Sequence, residues 1–247
     1  MGDTPNPATS PFNLNSKLIV LTGGASGIGL ATAHLLASLG AQLSIGDLSA
    51  SALESAAQSI KAQTGKDVMT MVIDVRKRDT IELWIRETLA WAGRERLDGA
   101  ANLAGVIGKN HGKMSVGFAP FLFFVIGVPG DLRWFGFVFY SAVLCLGMLL
   151  CGWKWFLHCP SVIQNTEDDE WDFVMDVNLK GVMNCMRAEL AVMAENGSIV
   201  NAASICGLQG LKNAGAYCAS KHGVIGLSRA AAKETGEEGI RVNCVAP

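Results

Sequence analysis

The chain has 247 residues and a formal net charge of -2, with a mean hydropathy of +0.30. This length suits one α/β domain with a large buried core, and the small net charge gives no reason to expect a nucleic-acid partner. The 7 cysteines form no Cys-x-x-Cys pair, and the 4 histidines show no ligand spacing. We therefore expect reduced, buried thiols and no metal site.

Strand and helix patterns alternate along the chain after a polar, proline-rich start at 1–16, which we interpret as a disordered tail. The apolar run at 17–22 ends in a glycine-rich turn, as is typical of a buried parallel strand that feeds a helix. Thr166 is expected to cap a later helix whose first turn is acidic. The predicted strands are 17–22, 41–46, 68–73, 97–103, 197–203 and 240–245, and the predicted helices are 27–39, 50–63, 80–92, 167–195 and 214–235.

This strict alternation with short connections predicts one fold class. It is an α/β domain with a doubly wound, Rossmann-like parallel sheet and helices on both faces. We expect a single domain over 17–247. In such a sheet the strand order reverses beside the first strand, and a cofactor lies above the carboxyl ends of the strands.

The segment 113–161 interrupts the alternation, because it is very apolar and far exceeds the usual connection of roughly 4–6 residues. Within it, 134–153 is a run of twenty uncharged residues, enough to span a bilayer of roughly 30 Å. A single span would place strands of one sheet on opposite sides of a membrane. We therefore expect a cytoplasmic protein. A membrane-associated protein anchored through 134–153 is the alternative, and membrane contact is expected only if 113–161 belongs to the cellular protein.

The turn after the first strand carries a candidate phosphate-binding site. Gly23, Gly27 and Gly29 follow a G-x3-G-x-G spacing. Glycine permits positive φ and close approach of a pyrophosphate, and the following helix N-terminus offers free N–H groups to an anion. The hydroxyls of Thr22 and Ser26 can add contacts. An ordinary strand-to-helix turn is the alternative, but three glycines after an apolar strand argue against it.

A carboxylate ends the second predicted strand at the distance that a ribose contact needs. Asp47 lies eighteen residues beyond Gly29, close to the offset of roughly 20 expected for the residue that binds the adenosine ribose. A carboxylate accepts from both ribose hydroxyls and repels a 2′-phosphate. Because the glycine-rich turn contains no Arg or Lys, NAD is favoured and NADP is the alternative. An added role as a helix N-cap before Ser49 is compatible with the same position.

A candidate acid–base pair lies on the helix predicted at 214–235. Tyr217 and Lys221 are four residues apart and share one face of that helix. A tyrosine with a reference pKa of roughly 10 is a poor base at neutral pH, but a neighbouring ammonium stabilises the phenolate and lowers its pKa. Ser204 ends the strand thirteen residues before Tyr217, and Asn178 lies on the helix at 167–195.

In this order, and on these elements, the residues closely resemble the short-chain dehydrogenase/reductase family, whose members move a hydride between a nicotinamide cofactor and an alcohol or carbonyl. The resemblance implies that Tyr217 is the acid/base, that Lys221 holds the nicotinamide ribose, and that Ser204 polarises the substrate oxygen. It implies that Asn178 keeps a water in a proton relay. The cofactor contacts that it implies are Thr22, Gly23, Ser26, Gly27, Ile28, Gly29, Asp47, Asp74, Val75, Asn102, Ala104, Gly105, Tyr217 and Lys221.

The resemblance also carries finer expectations. Asp74 corresponds to the family residue that meets the adenine amino group, and Asn102 to Gly105 resembles the family's Asn-Asn-Ala-Gly, with Leu103 replacing the second Asn. The family normally continues beyond Pro247, so we expect the C-terminal strand to be missing and the sixth strand to leave an open edge. The family also commonly pairs the helices that carry Asn178 and Tyr217, which implies a homo-oligomer.

The segment between Ser204 and Tyr217 bears on the substrate. It contains few groups able to bind a charged molecule, which favours a mostly apolar small molecule carrying a secondary alcohol or a ketone. Two alternatives remain open: an NADP-linked ketone reductase with the same site, and a truncated product without catalytic activity.

We predict that most of 113–161 is a translated intron. Gly112-Lys113 can be encoded with the donor-like GTAAG, and Ser161-Val162 with an acceptor-like CAG; cutting there leaves a valine codon in frame. Sequenced transcripts are expected to lack the segment. The shortened protein should be soluble, whereas the chain as written should aggregate or partition into membranes because of its exposed apolar surface. Transcripts that uniformly retain the segment, or an active soluble protein containing it, would contradict this prediction.

Overall fold

The computed structural model describes residues 14–108, 125–126 and 163–247. The disordered tail expected at 1–16 lies almost wholly outside these residues. So does the apolar segment at 113–161, apart from Val125–Ile126, and the candidate membrane span at 134–153 lies entirely outside them. Within the described ranges, no helix is both long enough and apolar enough to cross a membrane.

The fold is a doubly wound α/β sheet, as the alternation predicts. The strands follow the order β3-β2-β1-β4-β6-β7-β5, and all neighbours pair in parallel except β5 and β7. The strand order reverses between β1 and β4, which is where a crevice for a ligand forms in such sheets. The strands are β1 Leu18–Thr22, β2 Gln42–Asp47, β3 Met69–Val72, β4 Leu97–Asn102, β5 Val125–Ile126, β6 Met193–Ala202 and β7 Arg241–Val245. The helices are α1 Gly27–Ser38, α2 Ala50–Thr64, α3 Arg78–Ala92, α4 Asp168–Met175, α5 Gly181–Leu190 and α6 Gly215–Glu234.

The two faces of the sheet are covered by different helices. On one face, α1 and α2 pack on β1 and β2 through a cluster that includes Leu21, Ile45 and Leu53. On the other face, α3, α5 and α6 enclose the larger core, in which Trp84 and Ile199 are completely buried. Burial on both faces explains why β1 has no alternating polar residues.

The structure corrects three predicted boundaries. The helix predicted at 167–195 ends at Leu190, and β6 begins at Met193, because Met193 is buried and pairs with Leu97 in the sheet. A register shift follows between Leu97 and Gly99, and Asn196 adopts a positive φ of 62° to accommodate it. At the other end of the same helical segment, the N-cap is Glu167 rather than Thr166.

The β7 edge also differs from the open edge that was expected at the sixth predicted strand, which is β7 in the structure. Val125 and Ile126 pair antiparallel with Val245 and Cys244, so this part of the β7 edge is covered rather than open. An edge strand presents unpaired N–H and C=O groups, to which any nearby extended segment can add.

A buried polar network joins β4, β6 and α5 beneath the sheet reversal. The Asn102 amide donates to Glu189 Oε2 at 3.0 Å and to Asn201 Oδ1 at 2.9 Å. Asn201 in turn donates to Ser228 Oγ at 2.8 Å. Glu189 Oε1 has no hydrogen-bond partner among the described residues, and burial raises the pKa of Glu189 to about 7. The carboxyl therefore carries a proton over much of the range below neutrality.

We predict that Glu189→Gln stabilises the protein at high pH and changes little at low pH. Glu189 has a folded-state pKa of about 7 against 4.5 for the free group, so the folded state loses stability as pH rises from the lower to the higher value. The loss is about 3 kcal/mol at most. The glutamine keeps an acceptor for Asn102 without gaining a charge.

Urea unfolding at pH 5 and pH 8.5 measures the effect, and Glu195→Gln, at an exposed position in β6, serves as the matched control. The free energy of unfolding of Glu189→Gln, relative to that of the parent, should rise from pH 5 to pH 8.5. A difference between the two proteins that stays the same, or that shrinks, would contradict a protonated Glu189.

Candidate active site

The glycine-rich turn has the shape that a bound phosphate needs. Gly23 and Gly27 have positive φ angles of 69° and 52°, a region that favours glycine. A Cβ on Gly29 would lie 2.0 Å from the carbonyl oxygen of Gly23, so α1 packs directly on the turn. A Cβ on Gly27 would meet no atom within 4 Å. Gly27 therefore borders open space, whereas Gly23 and Gly29 permit close packing.

The N-terminus of α1 opens onto the same space. Ser26 is the N-cap, it is exposed, and its side chain makes no capping hydrogen bond. The N–H of Leu30 donates to the Ser26 carbonyl at 3.0 Å, so the N–H groups before it, including that of Ile28, have no intrahelical acceptor. Free N–H groups and the positive end of the helix dipole favour an anion here. A pyrophosphate fits this turn.

Asp47 ends β2 beside that turn. Its Oδ2 accepts from the Ala25 N–H at 3.2 Å, and its Oδ1 accepts from the Ser49 N–H at 3.2 Å. The capping role considered for Asp47 belongs to Ser49, whose hydroxyl accepts from Ala52 N at 3.3 Å. Asp47 is thus held by two backbone donors at the edge of the crevice, where a carboxylate can meet ribose hydroxyls.

Asp74 is already engaged by a cation. The Arg76 guanidinium binds its carboxylate through Nε and Nη2, at 2.9 Å and 2.7 Å, and holds the pKa of Asp74 below its usual value. Arg76 also lies 5.7 Å above the Phe173 ring. Val75 packs against Gly181, where a Cβ would approach it to 2.8 Å. The adenine contact expected of Asp74 and the cofactor contact expected of Val75 stay predictions, but Arg76 fixes the Asp74 carboxylate in one orientation.

The loop from Asn102 to Gly105 passes between the glycine-rich turn and the side chains of Asn178 and Lys221. The Asn102 side chain is turned into the buried network. The cofactor contact expected of Asn102 stays a prediction. The Ala104 N–H donates to Thr22 Oγ1 at 3.4 Å, and a Cβ on Gly23 would lie 2.7 Å from the Ala104 backbone. Glycine is therefore required at position 23, where the loop passes against the turn.

Asn178 lies in a π-helical turn, Asp176–Lys180, which joins α4 to α5. Its side chain is completely buried and makes two hydrogen bonds to the Val106 backbone. Oδ1 accepts from the Val106 N–H and Nδ2 donates to the Val106 carbonyl, each at 2.8 Å. Its amide also donates to Ser220 Oγ at 3.1 Å. Single π-helical turns are frequent at functional sites because they redirect one side chain.

Lys221 is almost fully buried and donates to the Ala202 carbonyl at 2.8 Å. Burial lowers the pKa of Lys221 to about 8. Its Nζ lies 5.6 Å from the centre of the Tyr217 ring. Burial raises the pKa of Tyr217 above its usual value, and the Ser204 side chain acts in the opposite direction. The Ser204 hydroxyl itself donates to the Pro247 carbonyl at 3.3 Å. The Tyr217 pKa is therefore raised rather than lowered as expected, because desolvation outweighs the effect of Ser204.

The structure brings Ser204, Tyr217, Lys221 and Asn178 to one end of the sheet, next to Gly105. A Cβ on Gly105 would lie 3.2 Å from Asn178 Oδ1 and 3.3 Å from Lys221 Nζ. The glycine-rich turn and Asp47 lie across β1 from them, at the carboxyl ends of the strands. These positions match the arrangement that the sequence predicts.

Some of the groups that hold the candidate site residues in place could not be predicted from the sequence. The Val106 and Ala202 partners are backbone atoms, which residue type does not reveal. Ser220 could have been found, since it lies three residues after Tyr217 on the same helix and its hydroxyl donates to the Tyr217 carbonyl at 2.8 Å. Arg76 follows Asp74 by two residues, but ion pairing at that spacing depends on the local turn.

Two family models match the chain. The model described as short chain dehydrogenase matches residues 17–117. The model described as Enoyl-(Acyl carrier protein) reductase matches residues 156–247. Together they cover the glycine-rich turn and all four candidate catalytic residues.

Curated relatives include a short-chain dehydrogenase/reductase named aba4 from Botryotinia fuckeliana. It is 40% identical over 240 residues, which is 97% of this chain and 73% of the relative. ABA4 from Pyricularia oryzae is 41% identical, over 95% of this chain and 69% of the relative. Levodione reductase from Leifsonia aquatica is 32% identical, over 100% of this chain and 73% of the relative.

Solved structures agree with these relatives. The crystal structure of levodione reductase has a TM-score of 0.70 and 30% identity, covering 94% of this chain and 71% of the other. The structure of xylitol dehydrogenase bound to NAD+ has a TM-score of 0.70 and 26% identity, covering 95% and 70%.

Proposed function

Because the chain belongs to the short-chain dehydrogenase/reductase family and is thus an NAD(P)-dependent oxidoreductase, we propose that it uses NAD to interconvert a secondary alcohol and a ketone on a mostly apolar small molecule. The observation that carries this proposal is the placement of Tyr217 beside the buried Lys221, whose Nζ lies 5.6 Å from the centre of the Tyr217 ring. The buried Ser204 side chain acts on the same tyrosine. Two hydroxyls that meet one substrate oxygen suit an alcohol or a carbonyl.

The surface next to Ser204 supports an apolar substrate. Ile205 and Leu208 are 40% and 47% exposed, although large apolar side chains are usually buried. Leu211 is half-buried and packs beside Tyr217 in the same small cluster. A ligand with a hydrocarbon ring or chain would cover this surface and gain free energy from its removal from water.

The proton chemistry follows from the residues that surround the substrate oxygen. When bound, the nicotinamide supplies or accepts the hydride. Tyr217 gives the proton to the substrate oxygen in reduction and takes it in oxidation, while the Ser204 hydroxyl orients that oxygen. Lys221 stabilises the phenolate by its charge once the group is ionised. Asn178 is fixed by Val106 and Ser220, so its position can support a proton path that reaches Lys221 past Gly105.

The cofactor choice rests on Asp47. Its carboxylate stands at the end of β2, bonded to the N–H of Ala25 in the glycine-rich turn, and a negative charge there opposes a 2′-phosphate. The NAD+-bound xylitol dehydrogenase, a similar structure, supports the same choice. NADP with the same site is the alternative, and Asp47 is the residue that separates the two.

The remaining expectations belong to the same proposal: a homo-oligomer, a cytoplasmic location, and a domain over 17–247 with an insertion at 113–161. The match to the first family model ends at residue 117, and the match to the second begins at residue 156. This gap supports an insertion between the two matched parts. A non-catalytic product is the rival, and it would bind NADH without turning over a panel of alicyclic secondary alcohols.

We predict that Tyr217→Phe abolishes turnover and leaves NADH binding almost intact, because the phenol is needed for proton transfer and contributes little to cofactor affinity. Lys221→Ala should damage both. Steady-state rates on secondary alcohols and a fluorescence titration with NADH measure the two effects. Lys233→Ala, an exposed lysine on the same helix, is the matched control. A near-normal rate for Tyr217→Phe would contradict the mechanism.

We predict that the parent binds NADH more tightly than NADPH and that Asp47→Ala narrows the difference, because the substitution removes both the ribose acceptor and the repulsion of the phosphate. Dissociation constants for the two cofactors, measured by fluorescence, test this. Asp67→Ala, which removes an exposed carboxylate, should leave the ratio unchanged. Equal affinity of the parent for both cofactors would make NADP the default.

A further inference from the structure

We propose that Arg76 is a positioning residue that selects the base of the cofactor. Its guanidinium holds the Asp74 carboxylate where an exocyclic amino group can donate to it, so that a 6-aminopurine is preferred to a 6-oxopurine. The inference rests on the proposed function only in that a nicotinamide dinucleotide must bind, and it does not require turnover. It gives a specificity role to a side chain that takes no part in the proposed proton chemistry.

Asp74 lies on the side of Asp47 toward which the base extends. The Ile73 N–H donates to the Asp47 carbonyl at 2.9 Å, and Asp74 follows Ile73 directly, so both acidic residues lie at the same edge of neighbouring strands. In the sheet, β2 lies between β1 and β3. A pyrophosphate at the turn after β1 and a ribose at Asp47 leave the base to continue toward the end of β3.

The Asp74 carboxylate is held firmly but is not saturated. Nε of Arg76 donates to both oxygens, at 2.9 Å and 3.1 Å, while Nη2 donates to Oδ2 at 2.7 Å and the Arg76 backbone N–H donates to Oδ1 at 3.0 Å. These three N–H groups take three of the roughly four acceptor positions of a carboxylate. The Asp74 side chain is 13% exposed. It can therefore accept one more hydrogen bond from a ligand.

The loop that carries this pair has supports that do not involve the guanidinium. The Asn184 amide donates to the Val75 carbonyl at 3.1 Å and to the Arg76 carbonyl at 3.4 Å. The Arg76 side chain itself lies over the Phe173 ring, 5.7 Å from its centre. Removing the charged fork should therefore free the Asp74 carboxylate without unfolding the loop.

The selection follows from the orientation of the carboxylate. Adenine carries an amino group at C6, which donates to a carboxylate, whereas hypoxanthine carries a carbonyl oxygen there, which meets it as a second acceptor. Sites built to bind an N–H reject analogues that lack it, because the polar group of the site is left unpaired. A carboxylate free to rotate could turn from the carbonyl to water. One held by Arg76 cannot, so the discrimination depends on Arg76.

Fluorescence titrations of the whole chain with NADH and with reduced nicotinamide hypoxanthine dinucleotide test the proposal. The parent should bind NADH at least about tenfold more tightly, the factor that one hydrogen bond to a charged group supplies. Arg76→Met keeps an apolar stem over Phe173 but has no donors, and its ratio of dissociation constants should fall to about threefold or less. Arg76→Lys should be intermediate, because an ammonium lacks the fork that binds both oxygens.

Two further variants serve as references. Arg78→Met removes an exposed arginine that pairs with Glu82 on α3, and it should keep the ratio of the parent. Asp74→Asn should lose or reverse the preference, because an amide can donate to the 6-oxo group. Melting followed by circular dichroism shows which variants are folded, and Arg76→Lys decides the question if Arg76→Met is not.

The outcomes separate this inference from the proposed function. A parent that binds both dinucleotides equally, or folded Arg76 variants that keep the full ratio while Asp74→Asn loses it, would overturn the role of Arg76 even in an active NAD-linked enzyme. A base preference that disappears with Arg76, in a protein that reduces no ketone and oxidises no alcohol, would support that role and contradict the proposed reaction.

Discussion

The site depends on one steric constraint. The chain after β4 passes between the glycine-rich turn on one side and Asn178 and Lys221 on the other, and these close contacts leave no room for larger side chains. On one side the backbone of Ala104 lies so close to Gly23 that a Cβ there would approach it to 2.7 Å. On the other side Gly105 faces Asn178 and Lys221 at little more than 3 Å from its missing Cβ. A larger residue at either glycine would push the two halves apart, and interiors at native packing density transmit such strain.

Buried polar groups hold this crossing in place. Asn102 anchors the start of the loop to Glu189 and Asn201, and Asn178 clamps its continuation through both polar atoms of the Val106 backbone. Hydrogen bonds between buried groups are strong in a low dielectric. Buried atoms without a partner among the described residues, here Asn102 Oδ1 and Glu189 Oε1, are costly. The protonated carboxyl of Glu189 is compatible with this interior because a charged one would lose its hydration there.

Burial also sets the chemical state of the catalytic residues. Desolvation lowers the pKa of Lys221 to about 8 and raises that of Tyr217, so Lys221 releases its proton more easily than a free lysine and Tyr217 holds its proton more tightly than a free tyrosine. An added hydroxyl or charge in the crevice would change that balance.

The order of strands and helices was predictable from the sequence, because buried parallel strands are continuous apolar runs and glycines end the helices at Gly40, Gly65 and Gly93. The positions of Asp47 and Tyr217 followed from the same pattern, since parallel strands bring their carboxyl ends to one edge. Tertiary structure alone decided the rest. Met193 joined the sheet because it is buried where it pairs with Leu97. Backbone carbonyls became partners of Asn178 and Lys221, and desolvation set the direction of the pKa shifts of Lys221 and Tyr217. Residue type and local spacing encode none of these.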